Sequence, residues 1–238
     1  MVHTQVLYEG KAKKMHLIDG CDYLRVEYLD QVTALNGAKK DQLNGKGALN
    51  NQITARIFTE LTRRGIDNHF INQLSKHEQL VERLEIVKLE VVIRNSAAGS
   101  FSKRFGIEEG TPLLFPVLEF YYKEDSLDDP FINEDHIKLL GIADEVTIKA
   151  IKVQAHKINK ELCQLFAKIQ IKLIDFKVEF GQRPDGTIIL ADEVTPDTCR
   201  LWDRETNKRL DKDLYRKNLG DILPFYEEVL QRLTQMTD

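Results

Sequence analysis

The sequence predicts an α+β fold, antiparallel sheets flanked by helices, and three patterns carry that prediction. Residues 5–28 break into short alternating segments separated by the turn residues Glu9-Gly10 and Asp19-Gly20. Two later stretches place apolar residues at helical spacing. The longer of them runs straight into a segment that alternates apolar and charged residues with the period of a strand. Early hairpins followed by mixed strands and helices are the pattern of an α+β protein.

The elements follow in order. Strands are expected over residues 5–8, 13–18 and 23–28. A helix over residues 48–64 has the stripe Leu49, Ile53, Ile57, Phe58 and Leu61, and Gly65 supplies its C-terminal stop. Strands are expected again near residues 68–72, 79–83 and 89–94. The longest helix should span residues 145–169, with Asp144 as its cap and Ile148, Ile151, Ala155, Ile158, Leu162, Leu165 and Ile169 as its buried stripe. A last helix is expected over residues 214–233, kinked by Pro224. No repeat or low-complexity linker interrupts the chain. A change of pattern near residues 84–88 divides an N-terminal β-rich lobe, 1–85, from a C-terminal α+β lobe, 86–238.

Composition removes several function classes. With 34 Lys and Arg against 38 Asp and Glu, the net charge of -4 argues against a general nucleic-acid binder. No apolar run approaches the length of a membrane span, and the polar start lacks a signal peptide's apolar segment, so a cytoplasmic protein is expected. The 3 cysteines, Cys21, Cys163 and Cys199, are odd in number and far apart, which suggests neither a disulfide framework nor a zinc site. Neither H-E-x-x-H nor G-x-S-x-G is present, so metalloprotease and serine-hydrolase readings drop out.

The densest chemical signal lies in Leu173-Ile174-Asp175-Phe176-Lys177-Val178-Glu179-Phe180. Alternation puts Asp175, Lys177 and Glu179 on one face, with Ile174, Phe176, Val178 and Phe180 on the other. A following strand, residues 187–194, leads to Asp192-Glu193, with Arg200 soon after. Paired carboxylates with an intervening Lys suit Mg²⁺ and a phosphorylated ligand, although the same alternation also describes a solvated strand face. If Glu179 and Asp192 share a metal across a regular antiparallel hairpin, paired residue numbers must sum to an odd value. Upstream, Tyr8-Glu9-Gly10-Lys11-Ala12-Lys13-Lys14 places a glycine and several amines at a turn, suited to phosphate but equally to a solvated basic turn. In Val91-Val92-Ile93-Arg94-Asn95-Ser96-Ala97-Ala98-Gly99-Ser100, small residues follow an apolar strand. Arg94 and Ser100 there could bind a phosphate monoester or form a tight helix start with a structural Arg. The stretch from Phe120 to Pro130 sets Lys123 and several acids after aromatics, as a surface loop would.

Taken together these motifs resemble the SAICAR synthetase family, the phosphoribosylaminoimidazole-succinocarboxamide synthases, nearly end to end. Gly10-Lys11-Ala12-Lys13, Gly45-Lys46-Gly47, Val92 to Ser100, Leu173 to Gly181, Asp192 to Asp197 and Arg200-Leu201-Trp202-Asp203 carry the resemblance. It implies a fold related to the nucleotide-binding lobes of ATP-grasp enzymes and protein kinases, and a cytoplasmic homodimer. The implied activity is an ATP-dependent ligase joining L-aspartate to carboxyaminoimidazole ribonucleotide (CAIR), with ATP and Mg²⁺ and through an acyl phosphate. By the same resemblance, Lys11, Ala12 and Lys13 would hold ATP phosphates, and Ile86, Val87 and Leu89 would form the hinge against adenine. Glu179 and Asp192 would bind Mg²⁺. Arg94, Ser100, Asp175, Lys177, Arg200 and Arg216 would hold the ribonucleotide, with Lys123 and Asp129 near the reacting groups. Such chemistry needs charge neutralisation and positioning rather than a side-chain nucleophile. Three positions depart from the family pattern: Asn36 where many members have Asp, Asp128 where others have His, and Cys199 where others have Ser.

Overall fold

The computed structural model describes residues 4–34 and 39–236, so Asn36 lies outside the described residues. Two antiparallel sheets dominate. The first has the order β1-β2-β3-β7-β6 and is built from β1 (Thr4–Glu9), β2 (Lys13–Ile18), β3 (Tyr23–Tyr28), β6 (Phe70–Gln73) and β7 (Glu78–Glu82). Between β3 and β6 come the small hairpin β4 (Gln31–Ala34) and β5 (Lys39–Gln42), which the sequence reading did not foresee, and then α1 (Lys46–Arg63).

The second sheet has the order β11-β10-β9-β12-β13. Its strands are β9 (Leu89–Ser96), β10 (Pro112–Tyr122), β11 (Phe131–Ile132), β12 (Ile171–Gln182) and β13 (Ile188–Ala191); β8 (Glu85–Ile86) and β14 (Cys199–Asp203) also pair with β12. α2 (Gly99–Phe105) and α3 (Glu134–Leu139) are short, whereas α4 (Glu145–Lys168) backs β12. Asp144 caps α4 as expected, accepting from the Thr147 backbone N–H at 2.8 Å. Its whole expected stripe is buried, and with Phe58, Leu61, Phe176, Val178 and Phe180 it forms the main core.

Three expectations need correction. The last helix is not one kinked rod but two, α5 (Asp213–Arg216) and α6 (Leu223–Thr234), parted by Asn218 and Gly220 at positive φ. Pro224 sits in the first turn of α6, where its missing N–H costs nothing. The aromatic stretch before Lys123 is the end of the long strand β10, whose Pro116 disguises it and coincides with a shift of register against β9. The third concerns β12 and β13: Glu179 faces Ala191 and Gln182 faces Ile188, an even-sum register rather than the odd one a shared metal was expected to require.

A bulge sets which side chains of β12 face the site. Leu173 pairs with Leu201 and Asp175 with Arg200, so Ile174 is the extra residue. Before it, Ile171 and Leu173 point into the core; after it, Phe176, Val178 and Phe180 do, which frees Asp175, Lys177 and Glu179 for the opposite face.

Candidate active site

The charged face of β12 forms the floor of a cleft of about 440 Å³. Neighbouring strands add Glu90, Val92 and Arg94 from β9 and Tyr121 from β10, the turn after β1 adds Lys11 and Ala12, and the segment beyond β13 adds Glu193, Asp197 and Arg200. Lys212 and Arg216, at α5, complete the wall.

One end is a guanidinium cluster. Arg94, 3% exposed, donates through Nε to Glu119 Oε2 (2.6 Å), through Nη1 to Asp175 Oδ2 (2.6 Å), and through Nη2 to Ser100 Oγ (3.1 Å) and the Tyr121 hydroxyl (3.2 Å). Arg200 donates to Asp175 Oδ2 (2.8 Å) and Asp213 Oδ2 (2.8 Å), and Arg216 donates to Asp213 Oδ1 (2.7 Å). Burial alone would raise the Asp213 carboxyl, but Arg200 and Arg216 outweigh it and hold the carboxyl well below the usual range. Gly99, at φ 55, lets the small-residue loop lie against this cluster, since a Cβ there would run into the Arg200 guanidinium.

The other end is an ammonium and carboxylate cluster. Glu179 Oε1 accepts from Lys123 (2.6 Å) and Lys177 (2.7 Å). The Lys177 ammonium also stands 3.3 Å from Asp192 Oδ2 and 3.3 Å from Glu90 Oε1. Lys13 donates to Asp192 and lies 3.3 Å from Glu193 Oε1. Burial disfavours the Asp192 carboxylate, yet Lys13, Lys177 and Lys123 overcome that and keep it ionised far below its ordinary range. Glu193 is shifted the other way, raised by burial and by the nearby Asp192 and Asp197, with Lys13 only partly compensating.

The even-sum ladder does not separate Glu179 from Asp192, because Asp192 has already left it. Its φ of 60° is left-handed, which ends β13 and turns the side chain back toward Lys177. The Asp192 carbonyl accepts from His69 Nε2 at 3.1 Å, and burial keeps that imidazole neutral, lowering its pKa to about 4. A bridge between Asn68 and Leu190 brings His69 there from the first sheet. Two carboxylates that converge on one ammonium can equally converge on a divalent cation, and their hard oxygens suit Mg²⁺ completed by phosphate oxygens. Among the described residues no group of three or more acidic, His or Cys side chains forms a metal cage of its own.

Lys11, Ala12, Arg94, Ser100, Asp175, Lys177, Arg200 and Arg216 are thus brought together in the cleft wall, with Lys13, Lys123, Glu179 and Asp192 clustered at its end. Asp129 is not in the cleft lining but lies close enough to Glu90 and Lys11 to feel their charge, its Oδ1 accepting the Glu124 backbone N–H at 2.9 Å; it and Asp128 both have positive φ. Ile86, Val87 and Leu89 follow the same edge of β12, with Val87 N–H donating to the Phe180 carbonyl at 2.9 Å, while the Leu89 side chain is wholly buried in the core. Cys199 is 2% exposed, and burial raises its thiol far above the ordinary range.

Several site residues had been given no role, although Lys46 and Asp197 stand in motifs quoted above. Lys46, wholly buried at the start of α1, places its ammonium 2.5 Å from Asp197 Oδ2, and Asp197 Oδ1 accepts from the Tyr226 hydroxyl at 2.5 Å. Gly47 permits this, since a Cβ would stand 2.5 Å from the Tyr28 carbonyl and push α1 off β3. The glycines flanking Lys46 were the available signal. Lys212 gave none: it lies in a stretch that reads as the approach to a helix.

Known proteins resemble this chain over nearly its whole length. Residues 6–233 match the SAICAR synthetase family. The phosphoribosylaminoimidazole-succinocarboxamide synthase of Enterococcus faecalis is 60% identical over 233 residues, covering 98% of each chain. The crystal structure of the Ehrlichia chaffeensis synthase superposes with a TM-score of 0.94 at 45% identity, covering 98% of this chain and 100% of that one. A SAICAR synthetase in complex with ADP gives 0.93 at 46% identity, covering 98% and 99%.

Proposed function

The chain belongs to the SAICAR synthetase family, and from that premise we propose how its cleft works as an ATP-dependent ligase of purine biosynthesis, joining L-aspartate to the carboxylate of CAIR. The observation that best supports this is the division of the cleft into a guanidinium end and an ammonium and carboxylate end. Two phosphorylated ligands, one at each end, would meet between them.

In this reading Lys11, Lys13 and the backbone at Ala12 hold the ATP phosphates. Ile86, Val87 and Leu89 flank adenine, Leu89 through its backbone because its side chain is in the core. Glu179 and Asp192 hold Mg²⁺, which supplies positive charge to the phosphates. Arg94, Ser100, Asp175 and Arg200 hold the ribonucleotide, with Arg216 at the rim, and Asp129 borders the acceptor side. Lys123 and Lys177 neutralise charge at the reacting groups. A CAIR carboxylate oxygen attacks the γ-phosphorus and ADP leaves, giving an acyl phosphate. The aspartate amine then attacks the acyl carbon, phosphate departs with the C–O electron pair, and the nitrogen releases a proton. The family resemblance supports a homodimer, the composition a cytoplasmic location, and the change of pattern near residues 84–88 a division into lobes at residues 85 and 86.

The test is ADP release from Mg-ATP with CAIR and L-aspartate, each omitted in turn, and the product identified by mass. Turnover that needs all three and yields the succinocarboxamide supports the ligase. ATP binding without turnover would point to a regulatory nucleotide-binding module.

A further inference from the structure

Asp211 is a wholly buried carboxyl behind the guanidinium end of the cleft, and no step of the proposed reaction uses it. Each of its oxygens meets a backbone N–H rather than a cation: Oδ2 accepts from Leu201 at 2.9 Å and Oδ1 from Asp213 at 2.8 Å. Taking a carboxylate out of water for two neutral donors is costly, and an apolar side chain like the adjacent Leu210 would fill the space without that cost. The two donors share a neighbour. Leu201 follows Arg200 in β14, and Asp213 grips Arg200 through its side chain, taking Nε at 2.8 Å and Arg216 Nη1 at 2.7 Å. Arg200 in turn reaches Asp175 on the cleft floor at 2.8 Å.

We propose that Asp211 is a positioning residue for the ribonucleotide: by holding the Leu201 and Asp213 N–H groups in one carboxylate, it ties β14 to the start of α5 and aims Arg200 into the cleft. The proposal rests on the ligase reading above, in which Arg200 holds the ribonucleotide. Only the ionised carboxylate offers two equal acceptors, since a protonated one turns a hydroxyl toward one of the two N–H groups. Burial and then the charge of Asp213 raise the carboxyl to about 7, against the two N–H groups and Arg200, so the clamp loosens close to neutral pH. The groups that face it are Arg200 and the Cys199 thiol from β14, Asp213 from α5 and the Tyr226 hydroxyl from α6. Burial keeps Cys199 and Tyr226 neutral, Arg200 stays charged beside Asp175 and Asp213, and the arginines keep Asp213 ionised. Among these groups Asp211 alone changes charge near neutrality. The adjacent Lys212, lowered by burial to about 8, faces Asp197 instead.

Asp211→Asn keeps the size but sets an NH₂ group against one of the two N–H donors. At about pH 8 it is expected to raise the KM for CAIR about tenfold, as loss of one hydrogen bond to a charged acceptor does, while the KM for ATP stays within about twofold. The ratio of the variant's KM for CAIR to that of wild type should then fall toward unity as the pH drops to about 6, because protonation loosens the same clamp in the wild-type protein. The phosphate of CAIR and Lys212 titrate in both proteins and cancel in the ratio. A ratio that stays constant with pH, or KM values for CAIR and ATP that rise together, would reduce Asp211 to a structural role and overturn the proposal. Melting curves at each pH exclude unfolding. Should Asp211→Asn not fold, Arg200→Lys is measured in the same way, and a ratio to wild type that does not narrow over the same interval overturns the proposal. A wild-type protein that neither binds nor consumes CAIR would instead overturn the ligase reading itself.

Discussion

Glu179 combines deep burial with a single oxygen shared by two ammoniums, so its charge matters more than its shape. Glu179→Gln keeps the volume and an acceptor for Lys123 and Lys177 but removes the charge offered to a metal. Turnover is expected to fall by about two orders of magnitude or more, with a melting temperature close to wild type. Wild-type ADP release in that variant would take Glu179 out of the metal site. Arg94 is a different case, because it neutralises two buried carboxylates, Glu119 and Asp175, as well as lining the cleft. Arg94→Ala should therefore cost about 3–5 kcal/mol in chemical denaturation, since two carboxylates would be left without their partner. Ser100→Ala is the cleaner probe of the same end: it removes one hydroxyl, and should raise the KM for CAIR severalfold without changing that for ATP.

At the scale of elements, β12 was legible where periodicity rules and illegible where it breaks. The alternation from Asp175 to Phe180 revealed a charged face because side chains in a strand must alternate. It could not reveal that Ile174 bulges or that Asp192 turns left-handed, since both depend on pairing with strands distant in sequence. The long helix α4 was legible end to end because its stripe and its Asp144 cap are local. By contrast, α5 and α6 read as one element because their apolar residues keep helical phase across the break at Asn218 and Gly220. The loop leading into α2 is held from behind by Glu109, whose carboxylate accepts from Lys217 (2.7 Å), Arg209 (2.6 Å) and the Gly99 backbone N–H (3.3 Å). Burial opposes the charge, but these donors prevail and hold the Glu109 pKa at about 2, below its ordinary 4.5. A depressed folded-state pKa contributes stability that is present above the unfolded value and lost as pH falls through the folded one. The melting temperature of Glu109→Gln should thus lie below wild type at pH 7, and the gap should close as pH drops from about 4.5 toward 2. In the same loop Gly99→Ala would displace Arg200, and ribonucleotide affinity should fall at least about tenfold while nucleotide affinity is kept.

At the scale of the whole molecule, Lys46 ties the start of α1 to Asp197 in the segment beyond the second sheet, with Asn50 and Tyr226 closing the network. Lys46→Met should cost about 3–5 kcal/mol by denaturation, because it strands a buried carboxylate, and adding Asp197→Asn should restore part of the loss. Nothing in the sequence joins these residues, since their meeting depends on how segments far apart in the chain are brought together. The same holds for Glu193 and Lys212, which share the cleft lining, whereas Lys11, Lys13 and the odd positions of β12 announced themselves through turn chemistry and parity. The cleft end described above holds three ammoniums, Lys13, Lys123 and Lys177, against four carboxylates, Glu90, Glu179, Asp192 and Glu193. On the assignment proposed above it would behave as an ion exchanger. On the proposed assignment, a divalent cation settling on Glu179 and Asp192 releases amines to polyphosphate, and polyphosphate drawing off the amines releases carboxylates to the cation. Each species then tightens the binding of the other by the same factor, as linkage requires.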